Sequence, residues 1–506
     1  MNSKIQELVG YKLVFGIPGP DATPDVINLF RETGARGLIL YRRNYRSPEQ
    51  IKKLISDLET ALGYRILVCL DHESGRVVFL GGGVTVFPDP YTFGLMGDVE
   101  AIRRQGEIEG RELRALGIDI NFAPVLDVIA EQYNPGILSR GYSKDPDKIS
   151  VFGSARIKGL QAGGVSATAK HYPGKGHATV DAHLKLPVID STLAEMESFH
   201  LKPFRAAVEA GCDCIMSSHP LYRNIDNVPA TFSRKLVHDL LRVKYGYKGV
   251  IVSDDLEMGA LSGEGGAAES IVRAEKAGHD LLLVCHTAAA QRGAANALQK
   301  AYENGELDVK TLEESVARIK KLHARRPNRF EGELGPLPEG KPLAERAANS
   351  AAAILQKGNL SLPIDLSAFS GKKMALVYPR FSDMSSLLMW EPEVECPGCY
   401  FQSRMAGKNF SPVTVPVALA ANEEDVLRVG RVVSDADLSI IFVWDAGLVE
   451  GWRRVLEVTQ EKSKSCVAVL LRDFFDQRFL KPETAGATAY GFRKCQLDAV
   501  LKKLFI

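Results

Sequence analysis

Eight short runs rich in Val, Ile and Leu, spaced by amphipathic stretches, constrain this chain more than any other feature. They cover residues 12–17, 37–41, 65–70, 119–123, 167–171, 212–217, 249–253 and 280–285. Continuous apolar runs, as opposed to alternating ones, suit parallel strands buried on both faces. Helical patterns lie between them, such as residues 99–116 (VEAIRRQGEIEGRELRAL) and 203–210. Eight such units within about 300 residues predict a (β/α)8 TIM barrel. The rival fold is an open doubly wound sheet, which usually carries a Gly-rich phosphate turn after its first strand. Here that turn reads GIPGPDATPD, and its prolines argue against such a helix start.

Polar residues fall where a barrel assembles its active site. Asp71, Asp127, Lys170 with His171, His219, Asp254 and His286 each stand at or just after the end of one of these runs, on the face where barrel enzymes place their chemistry. Core packing alone does not put ionisable groups at the ends of so many strands.

The chain has 506 residues, too many for one ordinary domain. Residues 325–342 (RRPNRFEGELGPLPEGKP) are rich in Pro, Gly and charge and read as a boundary. The expected organisation is a barrel over 1–325, a linker over 326–344 and a smaller α/β C-terminal domain over 345–506. In that last part a helix is expected at 343–355 and strands at 374–378, 438–443 and 466–471. Net charge is +1, from 63 basic and 62 acidic residues. Nucleic-acid binding and membrane-surface binding normally need a basic surplus, so a small neutral substrate is expected. The N-terminus lacks a leader pattern, and no window approaches the about 20 apolar residues of a membrane span. The cytoplasm is the expected location. The chain has eight cysteines; Cys69, Cys212, Cys214, Cys285 and Cys466 lie in apolar runs and read as buried thiols. Cys396 and Cys399 form a lone CxxC without the second pair a zinc site wants, so two thiols in a turn are expected, with no metal and no cofactor.

Two segments carry the chemistry. Residues 166–190 read SATAKHYPGKGHATVDAHLKLPVID. A strand ends in Lys170-His171, and a loop follows with Asp181 and His183 two apart. In an extended segment those side chains share a face. A carboxylate beside an imidazole fixes its tautomer and stabilises its protonated form, which suits a general acid/base. Residues 248–261 read KGVIVSDDLEMGAL. A carboxylate at that strand end could attack an anomeric carbon, as retaining glycosidases require. Only one of the pair can face the centre, and Asp255 is the better helix N-cap.

These residues resemble glycoside hydrolase family 3, in its β-N-acetylglucosaminidase branch. KHYPGKGHATVDAH is similar to that branch's Lys-His-(Phe/Tyr)-Pro-Gly…Asp-x-His signature, and GVIVSDDLEMGAL to its nucleophile strand. LDHESGRV at 70–77 resembles its Asp-x-Glu-Gly-Gly-x-Val stretch. NFAPVLDV, SRGYSKDP, MSSHPLY and PATFS follow in the family's order. The resemblance spans residues 5–325. It implies Asp254 as nucleophile and His183, with Asp181, as acid/base. It implies Asp71, Arg140, Lys170 and His171 as ligands of the sugar hydroxyls. The implied reaction is retaining, exo-acting removal of terminal β-linked N-acetylglucosamine from peptidoglycan or chitin-derived fragments. A neutral imidazole base would not repel a carboxylate on the leaving sugar. This chain departs from the pattern at Lys175, Ala182 and Ser74, and at Phe79, where the family often carries a sugar-binding Arg. A β-N-acetylglucosaminide phosphorylase, a β-glucosidase and a catalytically decayed sugar-binding protein stay open as alternatives.

Overall fold

The computed structural model describes residues 3–130, 134, 136–178, 186–261, 265–325, 328–385, 389, 391–394, 396–404, 412–472 and 474–506. Each of the eight apolar runs contains a strand. They are β1 (Leu13–Gly16), β2 (Gly37–Leu40), β3 (Leu67–Leu70), β4 (Ile120–Asn121), β5 (Ser166–Tyr172), β6 (Cys214–Ser217), β7 (Val250–Val252) and β8 (Leu282–Val284). All pair in parallel, in the order β7-β6-β5-β4-β3-β2-β1-β8. A parallel bridge between Val252 and Leu281 joins the two outer strands and closes the sheet into a barrel.

The core explains why these runs are continuously apolar. Val14, Ile39, Cys69, Ile120, Cys214, Met216, Val250, Val252 and Leu283 pack together inside the barrel. Their strand neighbours Leu13, Phe15, Leu38, Leu40, Val68, Leu70, Ile215 and Ile251 point outward into a second cluster shared with the surrounding helices. Both faces are therefore out of water, which favours apolar residues along most of each strand; Asn121 and Thr168 are buried polar exceptions. The outer helices carry their own punctuation. In Pro48–Leu62, Ser47 Oγ accepts from Gln50 N–H, and Gly63 closes the helix at φ 74°. The helices Val99–Ala115 and Pro146–Ala162 approach so closely that a Cβ at Gly159 would lie 2.0 Å from the Arg103 carbonyl oxygen. Only glycine fits there.

The C-terminal domain holds a six-stranded sheet: β9 (Ala353–Gln356), β10 (Met374–Pro379), β11 (Val413–Val417), β12 (Leu438–Val443), β13 (Cys466–Leu470) and β14 (Ala485–Thr488). Their order is β9-β14-β13-β12-β10-β11, all parallel except the β9–β14 pair. The three expected strands are β10, β12 and β13. The helix expected over 343–355 is shorter: it runs Gly340–Ala351, and the chain then turns extended to form β9. Antiparallel pairing of Ala353 with Thr488 supplies backbone hydrogen bonds that a continued helix would forgo. The helix Gly340–Ala351 serves both cores, with Leu343, Ala344 and Ala347 in the barrel's cluster and Ala348 in the other.

Cys396 and Cys399 are a disulfide, where two thiols were expected. The first turn of helix Pro397–Arg404 brings their Cα atoms to 5.2 Å, within bridging reach. Cys69, Cys212, Cys214, Cys285 and Cys466 are free and buried. Among the described residues, no helix is long and apolar enough to cross a membrane.

Candidate active site

A cavity of about 390 Å³ opens at the C-terminal ends of the barrel strands. Asp71 follows β3, Lys170 and His171 end β5, Asp254 follows β7 and His286 follows β8. All five line this cavity, as does Arg140. Asp181 and His183 lie outside the described residues.

A buried charge network forms one wall. Lys170 Nζ donates to Asp71 and lies 2.5 Å from Glu73 Oε1. Arg140 lays its guanidinium fork on the same Glu73, Nε to Oε2 and Nη2 to Oε1, both at 2.7 Å. Two cations thus face two carboxylates, which leaves this wall without net charge for an uncharged ligand to meet. Burial alone would push Glu73 up, but Arg140 and Lys170 hold its pKa well below the usual carboxylate range. Burial lifts the pKa of Asp71 despite Lys170, and Glu73 and Asp254 add to the rise. Burial opposes the charge on Lys170, yet Asp71 and Glu73 outweigh it and its pKa is raised.

His171 is set by a residue behind it. Asp127 Oδ2 accepts from the ring at Nδ1 (2.7 Å) and from the His171 backbone N–H (3.2 Å). Nδ1 must therefore carry a proton, and Nε2 faces Arg140 Nη2 at 3.5 Å. The second oxygen of Asp127 accepts from Lys175 N–H at 2.6 Å, which ties the strand end to the start of the following loop. His219 is also behind the cavity, not in its wall. Its Nε2 lies 3.0 Å from the Asp255 carbonyl oxygen and its Nδ1 2.8 Å from Thr231 Oγ1. A carbonyl cannot donate, so Nε2 carries the proton and His219 holds the backbone beside Asp254.

Asp255 does not cap a helix as expected. It accepts from the N–H groups of Glu257 and Cys285, each at 3.2 Å, and its Oδ2 lies 3.1 Å from His286 Nε2. A turn, not a helix, follows the strand, so the carboxylate spends its capacity on the neighbouring strand end. The hydrogen bond to Asp255 raises the His286 pKa. Phe79 completes this side. Its ring is 5.7 Å from Tyr41, which is 5.4 Å from His286, and the wall here is aromatic.

Two charged cavity residues escaped the sequence reading: Glu73 and Arg76. Glu73 had a usable signal, since it stands two positions after Asp71 in an extended segment and shares its face. Ser74 adopts φ 82°, a left-handed value that glycine takes without strain. Its hydroxyl offsets the strain locally, donating to Glu109 Oε2 at 3.1 Å and accepting from Gln105 Nε2 at 2.9 Å. Among the described residues, no group of three or more His, Cys, Asp or Glu side chains is placed to hold a metal ion.

Comparison with known proteins gives the family. Residues 2–322 match the model of the glycosyl hydrolase family 3 N terminal domain. A β-hexosaminidase of Idiomarina loihiensis is 36% identical over 282 residues, 54% of this chain and 84% of that one. One from Tolumonas auensis is 35% identical over 296 residues, 57% of this chain and 86% of that one. The structure of a family 3 β-N-acetylglucosaminidase from a Paenibacillus species superposes with a TM-score of 0.88 at 28% identity, covering 98% of this chain and 95% of that one. With the family model covering more than half of its length, the chain belongs to glycosyl hydrolase family 3.

Proposed function

We propose that this enzyme is a retaining exo-β-N-acetylglucosaminidase. The convergence of Asp254 with Asp71, Arg140, Lys170 and His171 in one cavity carries the reading. Relatives named β-hexosaminidase and the Paenibacillus β-N-acetylglucosaminidase support the sugar. In this mechanism Asp71 accepts hydrogen bonds from ring hydroxyls, while Arg140 and Lys170 on the same wall donate to them and His171 also holds the sugar. Asp254 attacks the anomeric carbon as the glycosidic bond breaks, and His183, paired with Asp181, gives its proton to the leaving oxygen. His183 then takes a proton from water, whose oxygen displaces Asp254. Peptidoglycan or chitin-derived fragments are the proposed source of substrate. A cytoplasmic setting is part of this reading.

Turnover of an aryl β-N-acetylglucosaminide by the wild type, Asp254→Ala and His183→Ala tests it. Asp254→Ala should lose at least about a thousandfold in kcat; full activity would remove Asp254 from the mechanism. His183→Ala should retain more activity on an activated leaving group than on a poor one. Equal losses on both would mean that His183 is not the leaving-group acid.

One observation favours a second reading. Lys175 lines the cavity, and a cation there suits a phosphate acceptor in place of water. Formation of N-acetylglucosamine 1-phosphate on adding inorganic phosphate would establish a phosphorylase.

A further inference from the structure

Asp71, Glu73, Arg76, Val77 and Phe79, which all line the cavity, belong to one short segment. It is a hairpin in which His72–Ser74 pairs with Val77–Val78 and whose tip is Gly75-Arg76. Ser74, which leads into the tip, and Gly75 both have positive φ, 82° and 55°. The barrel holds one side of the tip: Gly75 N–H donates to the Phe87 carbonyl at 3.0 Å, and Arg76 N–H to Asp89 Oδ1 at 3.3 Å. The same Asp89 oxygen accepts from Ser139 Oγ at 2.7 Å, beside Arg140.

The other side of the tip is held from a distant part of the sequence. Arg493, in the C-terminal domain, is fully buried. Its Nε donates to the Gly75 carbonyl at 2.6 Å and its Nη1 to the Met389 carbonyl at 2.8 Å. Nearby, a Cβ at Gly491 would stand 2.2 Å from Gln496 Oε1 of its own domain and 2.4 Å from Asp89 Oδ2 of the barrel. Phe474 of the same domain stacks on Tyr91 with ring centres 4.7 Å apart. Phe474 and Phe475 also pack against Val125, Ile129 and Ile137, in the segment that leads to Arg140. Both halves of the charge network, Glu73 and Arg140, are therefore backed by the second domain.

We propose that the C-terminal domain completes the sugar pocket, with Arg493 as the positioning residue that holds the 71–79 hairpin in place for ligand binding. A planar guanidinium reaches two carbonyls from one buried position, which an ammonium cannot reproduce. Asp254 follows β7 and is not part of this hairpin, so the hairpin governs sugar binding more than the attack itself. The proposal rests on reading the cavity as a sugar pocket.

Three full-length variants test it: Arg493→Ala, Arg493→Lys and Gly491→Ala. Each is compared with the wild type for folding by circular dichroism, for KM and kcat on the aryl β-N-acetylglucosaminide, and for N-acetylglucosamine affinity by calorimetry. Folded Arg493→Ala should raise KM and weaken N-acetylglucosamine binding by about tenfold, the size expected for a lost charge-assisted hydrogen bond. Its kcat should change by less than about threefold. Arg493→Lys should fall between, and Gly491→Ala, which pushes on both Gln496 and Asp89 where the two domains meet, should shift KM in the same direction. If Arg493→Ala does not fold, the other two carry the comparison. Unchanged KM and sugar affinity in the folded variants would overturn the proposal, as would losses confined to the amount of folded enzyme. A wild type that neither turns over the glycoside nor binds N-acetylglucosamine would instead overturn the sugar-pocket reading on which it rests.

Discussion

Glu73 receives the Arg140 fork through two bonds of 2.7 Å while Lys170 approaches the same carboxylate from the side. The arrangement keeps two buried cations charged and aimed at one point. Removing one member of such a network costs more than the net contribution of the pair, because the remaining charges are left in low dielectric without a counterion.

Glu73→Gln should therefore destabilise the chain by about 3 kcal/mol or more and raise KM for the glycoside. Urea denaturation and steady-state kinetics measure both. A variant with wild-type stability and KM would show that the network is dispensable.

Asp127 sets the His171 ring that lines the cavity. In Asp127→Asn the amide can turn only one oxygen toward the three N–H donors that Asp127 now serves. His171 loses its enforced tautomer, and kcat/KM should fall by about tenfold to a hundredfold, the range for one unsatisfied buried donor. The His171 ring nitrogens should also change their pattern in nitrogen-15 NMR spectra. An unaltered pattern would rule out the tautomer role.

The Asp255–His286 pair predicts a titration. Hydrogen bonding to Asp255 raises the His286 pKa, so the ring stays protonated at higher pH than a free histidine. The pair's contribution to stability is complete below the unfolded value of about 6.5. It is lost as pH rises through the higher folded value. Asp255→Asn should bring the NMR titration midpoint of His286 down. A midpoint that stays put would mean that another group sets it.

Acid should destabilise the fold through buried histidines. Burial lowers His200 to about 3, with His177 beside it adding to the effect, and lowers His279 and His323 to about 4. These folded values lie below the unfolded value of about 6.5, so the unfolded chain binds more protons between them and stability falls as pH drops through that window. Each group contributes up to about 1.4 kcal/mol per pH unit. His200→Asn should flatten the slope of unfolding free energy against pH below 6.5. An unchanged slope would remove His200 from the acid response.

The sequence by itself determined the barrel and the positions of Asp71, Lys170, His171 and Asp254 at strand ends. Both follow from local patterns. A strand buried on both faces is mostly apolar, and the ionisable residues gather where the strand emerges. The order of motifs then points to the family. What the tertiary structure decided is the company those residues keep. Lys170 meets Asp71 across 99 positions and Arg493 meets Gly75 across 418. No local periodicity encodes such meetings, because they follow from barrel closure and from how one domain packs on another. The same holds for β9, which local composition reads as helix and which an edge pairing with β14 makes a strand. Glu73 was legible only as part of a motif; its partners come from the short helix Leu138–Arg140 after β4 and from the end of β5, and the packed barrel alone brings them together.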